Sequence, residues 1–274
     1  MRGVYGLIKF GHNALVTEGL MASWLISTDL DGTLLNHHTY DYGAALPVLK
    51  RLAQSGVPVI LNSSKTLAEI SGWRDQLQLN HPIICENGGI IHFIDQPPIY
   101  LGRPLAQTRA FIHQWRQSHS ASFEGFADWT VQQIMTHTGL DQQQAALASK
   151  REVTEPILWL GDEPGLVAFK QALAEQGLQL QKGGRFYHVM AQHNKATALG
   201  YLIAQKYPGF KLMALGDGGN DRAMLEMADI AAVLPDSQGH YLAINSPHSI
   251  YHASKPAPEG WAEAVNYALF KEAE

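Results

Sequence analysis

The strongest constraint on the fold is an alternation of short apolar runs with amphipathic segments that begins at Trp24. The runs WLIST, PVILNSS and PIICENGG are typical of buried strands. Between them, YGAALPVLKRLAQSG and KTLAEISGWRDQLQL have helical spacing of apolar residues, and the first helix is expected to stop at Gly56. Strand, helix, strand, helix, strand predicts an α/β fold with a Rossmann-like, doubly wound parallel sheet.

This alternation is interrupted in the middle of the chain and resumes near residue 195. After a hairpin predicted through Gly88 and Gly89, residues 105 to 149 are typical of consecutive amphipathic helices. PILWL, LVAFKQALAEQ and LQLQ then predict a strand, a helix and a strand, and KGGRFYHVM contains a Gly-Gly turn. KATALGYLIAQKY, KLMALGD, NDRAMLEMA, IAAVL and GWAEAVNYALF restore the earlier pattern of helices and strands.

These segments predict two domains. We expect a core domain made of residues 23–90 and 191–274, with an inserted α/β cap domain of residues 91–190, because about 100 residues are enough for a second domain. Residues 1–22 are expected to be a disordered extension, since Met21 directly precedes the first convincing element.

Composition narrows the class of protein. A chain of 274 residues with a net charge of −5 argues against nucleic acid or an anionic membrane as the main partner. The single cysteine, Cys85, excludes an intramolecular disulfide and suits a reducing compartment. No apolar run reaches transmembrane length, and Lys9, His12 and Glu18 interrupt any signal-peptide core, so we expect a cytoplasmic protein.

Polar side chains follow the predicted core strands. Asp29 and Asp31 follow the first strand, Ser63 the second, and Asp217 and Asp221 the strand KLMALG. Because the carboxyl ends of parallel strands meet at one edge of a sheet, we expect these groups to converge there. Crowded acids repel one another, so a hard divalent cation with oxygen ligands, Mg²⁺, is predicted to share the site.

The same residues suggest phosphoryl chemistry in two displacements. Asp29 is suited to attack phosphorus and form an aspartyl-phosphate, and Asp31 to give a proton to the leaving group and later take one from water. Ser63 and Lys195 are predicted to bind phosphate oxygens. The metal ligands are predicted to be Asp29, Asp31 and Asp217, supported by Asn220 and Asp221.

Taken in order, DLDGT at 29–33, a strand ending in Ser63, Lys195 at a helix start and GDGGND at 216–221 resemble the four motifs of the haloacid dehalogenase superfamily of phosphatases. ENGG at 86–89 resembles the turn where the cap begins in its sugar-phosphatase branch. SSKT at 63–66, KREVTEP at 150–156 and GGRFYHVM at 183–190 resemble the mannosyl-3-phosphoglycerate phosphatase family, including Lys65 after the serine. HNKAT departs from that family at Asn194 and Ala196, where Asp and Gly are usual.

The resemblance implies a Mg²⁺-dependent phosphatase whose substrate is a small phosphorylated sugar acid. The enzyme would hydrolyse mannosyl-3-phosphoglycerate to mannosylglycerate and phosphate. In the predicted cap, Arg151 and Arg185 suit a bidentate grip on a carboxylate. Glu152, Thr154 and His188 suit sugar hydroxyls.

Other interpretations stay open at this point. On its own, the DG of DLDGT is a common signal for an ordinary turn, which is one alternative for Asp29 and Asp31. A calcium loop of the EF-hand type is not favoured, because the order of residues in GDGGND does not fit it. No G-x-G-x-x-G follows the first strand, which argues against a dinucleotide site. The alternatives are a phosphatase of another sugar phosphate, a phosphomutase, or a non-catalytic regulator that binds Mg²⁺ and phosphate. The presence of Asp31 speaks against the regulator, because it is suited to discharge an acyl-phosphate.

Overall fold

A computed structural model describes residues 23–270, so the extension predicted at residues 1–22 lies outside the described part of the chain. The strands are β1 (Trp24–Thr28), β2 (Val59–Leu61), β3 (Ile83–Cys85), β4 (Ile90–His92), β5 (Ile99–Tyr100), β6 (Phe123–Gly125), β7 (Glu155–Trp159), β8 (Leu178–Lys182), β9 (Tyr187–Ala191), β10 (Lys211–Gly216), β11 (Ile230–Val233) and β12 (Ser249–His252). The α-helices are α1 (Leu46–Gln54), α2 (Leu67–Gln76), α3 (Leu105–His119), α4 (Val131–Thr138), α5 (Gln142–Ala148), α6 (Glu163–Glu175), α7 (Lys195–Lys206), α8 (Arg222–Glu226) and α9 (Glu259–Val265).

The central sheet has five parallel strands in the order β12-β11-β10-β1-β2. Side chains of β1 alternate between its two faces, as a strand requires. Ile26 packs into the cluster formed with α1 and α9, and Leu25 into the cluster formed with α7 and α8. Helices therefore cover both faces of the sheet, which confirms the α/β, doubly wound prediction.

The inserted residues form a second, four-stranded antiparallel sheet in the order β6-β7-β9-β8. Its own apolar core is aromatic: the ring of Phe169 lies between those of Trp115, Phe123 and Trp159, with centroids 4.7, 5.2 and 5.6 Å away. A smaller group of apolar side chains under α4 and α5 extends this core. The exact boundaries between core and cap remain a prediction.

Two local expectations were wrong, and one strand was missed. PIICENGG does not extend the parallel sheet: β3 pairs antiparallel with β4 in a separate sheet, and a single parallel bridge, Asn62 to Ile84, links it to the chain after β2. The stretch 105–149 is not wholly helical, because β6 interrupts it and pairs with β7. The edge strand β12 was not anticipated. In the described residues, no helix is both long and apolar enough to cross a membrane.

Candidate active site

The central strands β1 and β10 bring two acidic loops together. They are parallel neighbours with Thr28 opposite Leu215, and the N–H of Asp29 donates to the carbonyl of Leu215 at 3.0 Å. The fully buried Trp261 supports the end of β1, since its indole N–H donates to the Thr28 hydroxyl at 3.0 Å. The side chain of Asp29 thus leaves the sheet beside Asp217.

Three carboxylates converge at this edge of the sheet. One oxygen each from Asp29, Asp217 and Asp221 lies within 4.8 Å of the others. Burial, followed by the charges of Asp221 and Asp29, raises the pKa of Asp217 to about 8. Burial is also the main cause that raises the pKa of Asp221, to about 6. The cluster therefore resists holding three negative charges unless positive charge is supplied.

Lys195 supplies part of that charge from the first turn of α7. Its side chain is fully buried, and Nζ lies 2.6 Å from Oδ1 of Asp29 and 2.6 Å from Oδ1 of Asp221. Burial opposes its charge, but the two carboxylates outweigh burial and hold the pKa of Lys195 above its ordinary value. Asn194 caps this helix, since its side chain accepts from the N–H of Thr197. Asn194 therefore starts the helix even though Asp is usual at this position in the family.

The remaining oxygens suit a hard cation. Lys195 engages one oxygen each of Asp29 and Asp221, and Asp217 accepts a hydrogen bond from Thr33 at 2.7 Å through Oδ1. Gly32 permits the close approach of the two loops, because it has φ +80° and a Cβ there would lie 2.6 Å from Oδ2 of Asp217. An all-oxygen donor set with this charge fits Mg²⁺.

Asp31 lies outside that three-carboxylate cluster. Its Oδ2 is 3.0 Å from Nζ of Lys65, which is itself 3.8 Å from Glu69. Burial raises the pKa of Asp31, and the charge of Lys65 opposes the rise. Asp221, predicted as a supporting group, instead belongs to the cluster. The sequence signal for Lys65 as a site residue was its place two positions after Ser63, but its pairing with Asp31 depends on side-chain geometry.

Ser63 and Asn220 occupy the surrounding shell. Ser63 is buried after β2, where its hydroxyl accepts from the N–H of Lys65 at 3.3 Å. The side-chain amide of Asn220 donates to Oδ1 of Asn87 at 3.3 Å. Asn220 and Asn87 therefore connect the loop after β10 to the turn after β3.

A cavity of about 650 Å³ opens over the acids and extends to the inserted sheet. Asp29, Asp31 and Asp217 line it, and so do Arg151, Arg185 and His188 of the inserted segment. Burial, followed by the charge of Arg151, lowers the pKa of His188 to about 3, so this imidazole is neutral near pH 7. The volume is within the range of small-molecule sites.

The structure places the other two predicted cap residues elsewhere. Glu152 accepts a hydrogen bond from the Tyr100 hydroxyl at 2.6 Å, and neither Glu152 nor Thr154 is among the residues that line the cavity. Thr154 is fully buried and donates to the carboxylate of Glu86 at 2.7 Å. Sequence reasoning did not identify Glu86, and its position in ENGG gave no sign of this long-range contact.

The fold and site together define an α/β protein whose parallel sheet carries an acid and lysine site at its carboxyl edge. Residues 26–240 match the family model of haloacid dehalogenase-like hydrolases, and the chain belongs to that family.

Solved structures with the same fold include two phosphatases and one further protein. One is a haloalkanoate-superfamily phosphatase from Bacteroides thetaiotaomicron, with TM-score 0.67 and 19% identity over 96% of this chain and 98% of that chain. A protein from Thermotoga maritima has TM-score 0.65 and 17% identity over 92% and 98% of the two chains. The subclass IIB sugar phosphatase BT4131 has TM-score 0.62 and 14% identity over 90% and 98%. At these identities the likeness shows the fold alone.

Proposed function

We propose that the protein is a Mg²⁺-dependent phosphomonoester hydrolase that acts through an aspartyl-phosphate on Asp29. The observation that carries the proposal is the fully buried Lys195 held 2.6 Å from both Asp29 and Asp221, with Asp217 completing the acidic cluster. Lys195 holds the carboxylate of Asp29 in place, as a nucleophile at this position requires.

In this proposal the residues act in sequence. Asp29 attacks phosphorus, the bond to the leaving oxygen breaks, and Asp31 protonates that oxygen. Asp31 then takes a proton from the water that attacks the aspartyl-phosphate, which releases phosphate and restores Asp29. Ser63 and Lys195 hold phosphate oxygens. Bound Mg²⁺ would be held by Asp29, Asp217 and Asp221 with support from Asn220, and it would supply charge that neutralises the phosphoryl group, while Asp31 serves the proton transfers.

For the substrate we propose mannosyl-3-phosphoglycerate. The motifs SSKT, KREVTEP and GGRFYHVM support this choice, as do two guanidinium groups, Arg151 and Arg185, that line the same cavity as the acids. His188 is proposed to meet a sugar hydroxyl as a neutral imidazole, and Glu152 and Thr154 act through the shape of the cap loop. The likeness to the sugar phosphatase BT4131 supports the runner-up substrate, another phosphorylated sugar.

Residues 91–190 would act as a cap over the core formed by residues 23–90 and 191–274, and a single cysteine supports a cytoplasmic location.

The test is phosphate release, with Mg²⁺ and with chelator, from mannosyl-3-phosphoglycerate, glucosyl-3-phosphoglycerate, simple sugar phosphates and 3-phosphoglycerate. A Mg²⁺-dependent preference for the mannosyl ester supports the whole proposal. Preference for another ester keeps the phosphatase and discards the substrate. Binding of Mg²⁺ without release from any ester would favour the regulator, and a phosphorylated product isomer would favour the phosphomutase.

A further inference from the structure

The turn after β3 carries a buried carboxylate that the proposed chemistry does not use. Glu86 is fully buried, and its two oxygens accept four hydrogen bonds from the loop before β7. Oε1 accepts from the N–H of Glu152 at 2.8 Å, and Oε2 from the N–H of Val153 at 3.1 Å and of Thr154 at 2.8 Å. The fourth donor is the Thr154 hydroxyl at 2.7 Å. Successive backbone N–H groups around one carboxylate form an anion-binding nest.

The backbone around Glu86 is unusual for its residue types. Glu86 has φ 49° and Asn87 has φ 57°, both in the left-handed region, and Gly88 has φ 92°. A Cβ at Gly88 would lie 2.1 Å from the carbonyl oxygen of Asn194, so the turn also packs tightly against the start of α7. Non-glycine residues persist in such conformations where the surroundings determine them. The turn is thus fixed from two sides.

The Thr154 hydroxyl extends this arrangement to the cavity. While it donates to Glu86, it accepts from Nη1 of Arg151 at 3.2 Å. Nη1 also donates to the carbonyl of Ser64 at 2.8 Å, and Nε donates to Ala148 at 3.2 Å. Glu86 therefore decides which way the hydroxyl points, and the hydroxyl presents its lone pair to Arg151.

The opposite end of the guanidinium is available. Within residues 23–270, Nη2 of Arg151 takes part in no hydrogen bond, and the residue lines the cavity with Phe126, whose ring centroid is 5.8 Å from Cζ. The two N–H groups of Nη2 can meet an anionic or hydroxyl-bearing part of a ligand. A guanidinium held at one end is preorganised to bind a ligand at the other, because its side chain has already lost rotamer entropy before the ligand binds.

We propose that Glu86 and Thr154 are positioning residues that hold Arg151 against Ser64 and so set the affinity for the part of the substrate beyond the phosphate. This inference rests on the proposed phosphatase function. It assigns Thr154 an indirect role and makes the ENG turn a determinant of specificity.

The test compares two esters, p-nitrophenyl phosphate, which lacks a carboxylate and a sugar, and mannosyl-3-phosphoglycerate. Glu86→Gln keeps the shape of the side chain but places an amide against N–H donors. We expect it to raise KM for the mannosyl ester about tenfold, the value of a lost hydrogen bond to a charged group, with kcat within about twofold. Its kinetics with p-nitrophenyl phosphate should match those of the wild type.

Thr154→Val removes the hydroxyl and keeps the shape, so it should give the same rise in KM, whereas Thr154→Ser should restore the wild-type value. The exposed Thr136→Val on α4 is the matched control. In an Arg151→Ala background, Thr154→Val should add nothing, because the effect passes through Arg151. Two results would overturn the proposal. One is the same rise in KM for the mannosyl ester when Thr154→Val is added to Arg151→Ala, and the other is an equal rise in KM for p-nitrophenyl phosphate.

A binding measurement separates this inference from the proposed function. Calorimetry of 3-phosphoglycerate with Asp29→Asn protein requires no turnover. Thr154→Val in that background should weaken binding about tenfold while leaving the affinity for inorganic phosphate unchanged. If the wild-type protein releases no phosphate from any ester, this result would remove the phosphatase and keep the positioning role. Unchanged affinity for 3-phosphoglycerate would remove the positioning role.

Discussion

Replacing Lys195 by methionine removes a buried ammonium and keeps a side chain of similar length. Nζ is the shared partner of Asp29 and Asp221, at 2.6 Å from each. Removing one member of a buried ion pair costs about 3–5 kcal/mol, because the other member keeps its charge without compensation. For a protein of this size that loss lowers Tm by roughly 10 °C.

The pH dependence of the loss follows from the same carboxylates. Asp221 has a pKa of about 6 with Lys195 in place, and without it the pKa rises further. Below the raised pKa the acid is neutral and the missing ammonium matters little, whereas above it the buried charge has no partner. Lys195→Met should therefore be most destabilising near pH 9 and least near pH 5.

The assay is thermal unfolding by circular dichroism at pH 5, 7 and 9 in chelator, beside phosphate release at pH 7. Lys206→Met is the matched control, since Lys206 is an exposed lysine of the same helix, and we expect a change within about 0.5 kcal/mol. A Lys195→Met protein that unfolds with wild-type Tm at pH 9, or that loses the same stability at all three pH values, would refute the electrostatic argument.

The remaining predictions concern the acids around Lys195. Asp29→Asn should lower phosphate release at least about a hundredfold while far-UV circular dichroism stays unchanged, and full activity would remove it as the nucleophile. Gly32→Ala should cost about 1–3 kcal/mol in urea unfolding, because φ is +80° and the new Cβ meets Asp217; Gly72→Ala, in a helix with open space around it, should be neutral or stabilising. Since the pKa of Asp217 is raised to about 8, the folded protein binds more protons than the unfolded chain between about pH 4 and pH 8. In chelator, Tm should therefore fall from pH 5 to pH 8, and Mg²⁺ should restore it most at pH 8; a Tm that rises over this range contradicts the assigned shift.

Much of the site was predictable because its residues follow parallel strands. Asp29 and Asp217 come directly after apolar runs that had to be buried strands, and the geometry of a parallel sheet brings their ends together. The side-chain partners were not predictable in this way. Asp31 pairs with Lys65, whereas Asp221 belongs to the carboxylate cluster. These partners depend on side-chain rotamers and on the position of α7, which is distant in sequence.

The failures in the fold have similar causes. β6 is three residues long and contains a single outward polar residue, Glu124, so it has too few positions for period-two alternation to register. β3 has the composition of a parallel core strand, but its hydrogen bonds go to β4 because the left-handed turn at Glu86 and Asn87 reverses the chain. A Glu in that conformation has no signature in a single sequence, since its stabilising contacts come from residues 152–154.

The pairing of β1 with β10 also has a consequence for biosynthesis. Asp29 emerges from the ribosome early, but its lysine partner follows 166 positions later, and β10 later still. At ordinary translation rates this gap lasts on the order of ten to thirty seconds. During that time β1 can pair with β2 but has an unpaired edge on its other side, which exposes the nascent chain to wrong strand pairing. Cellular yield should therefore depend on chaperones that shield this edge until α7 and β10 arrive, and prematurely terminated chains would carry the acids without the cation that balances them.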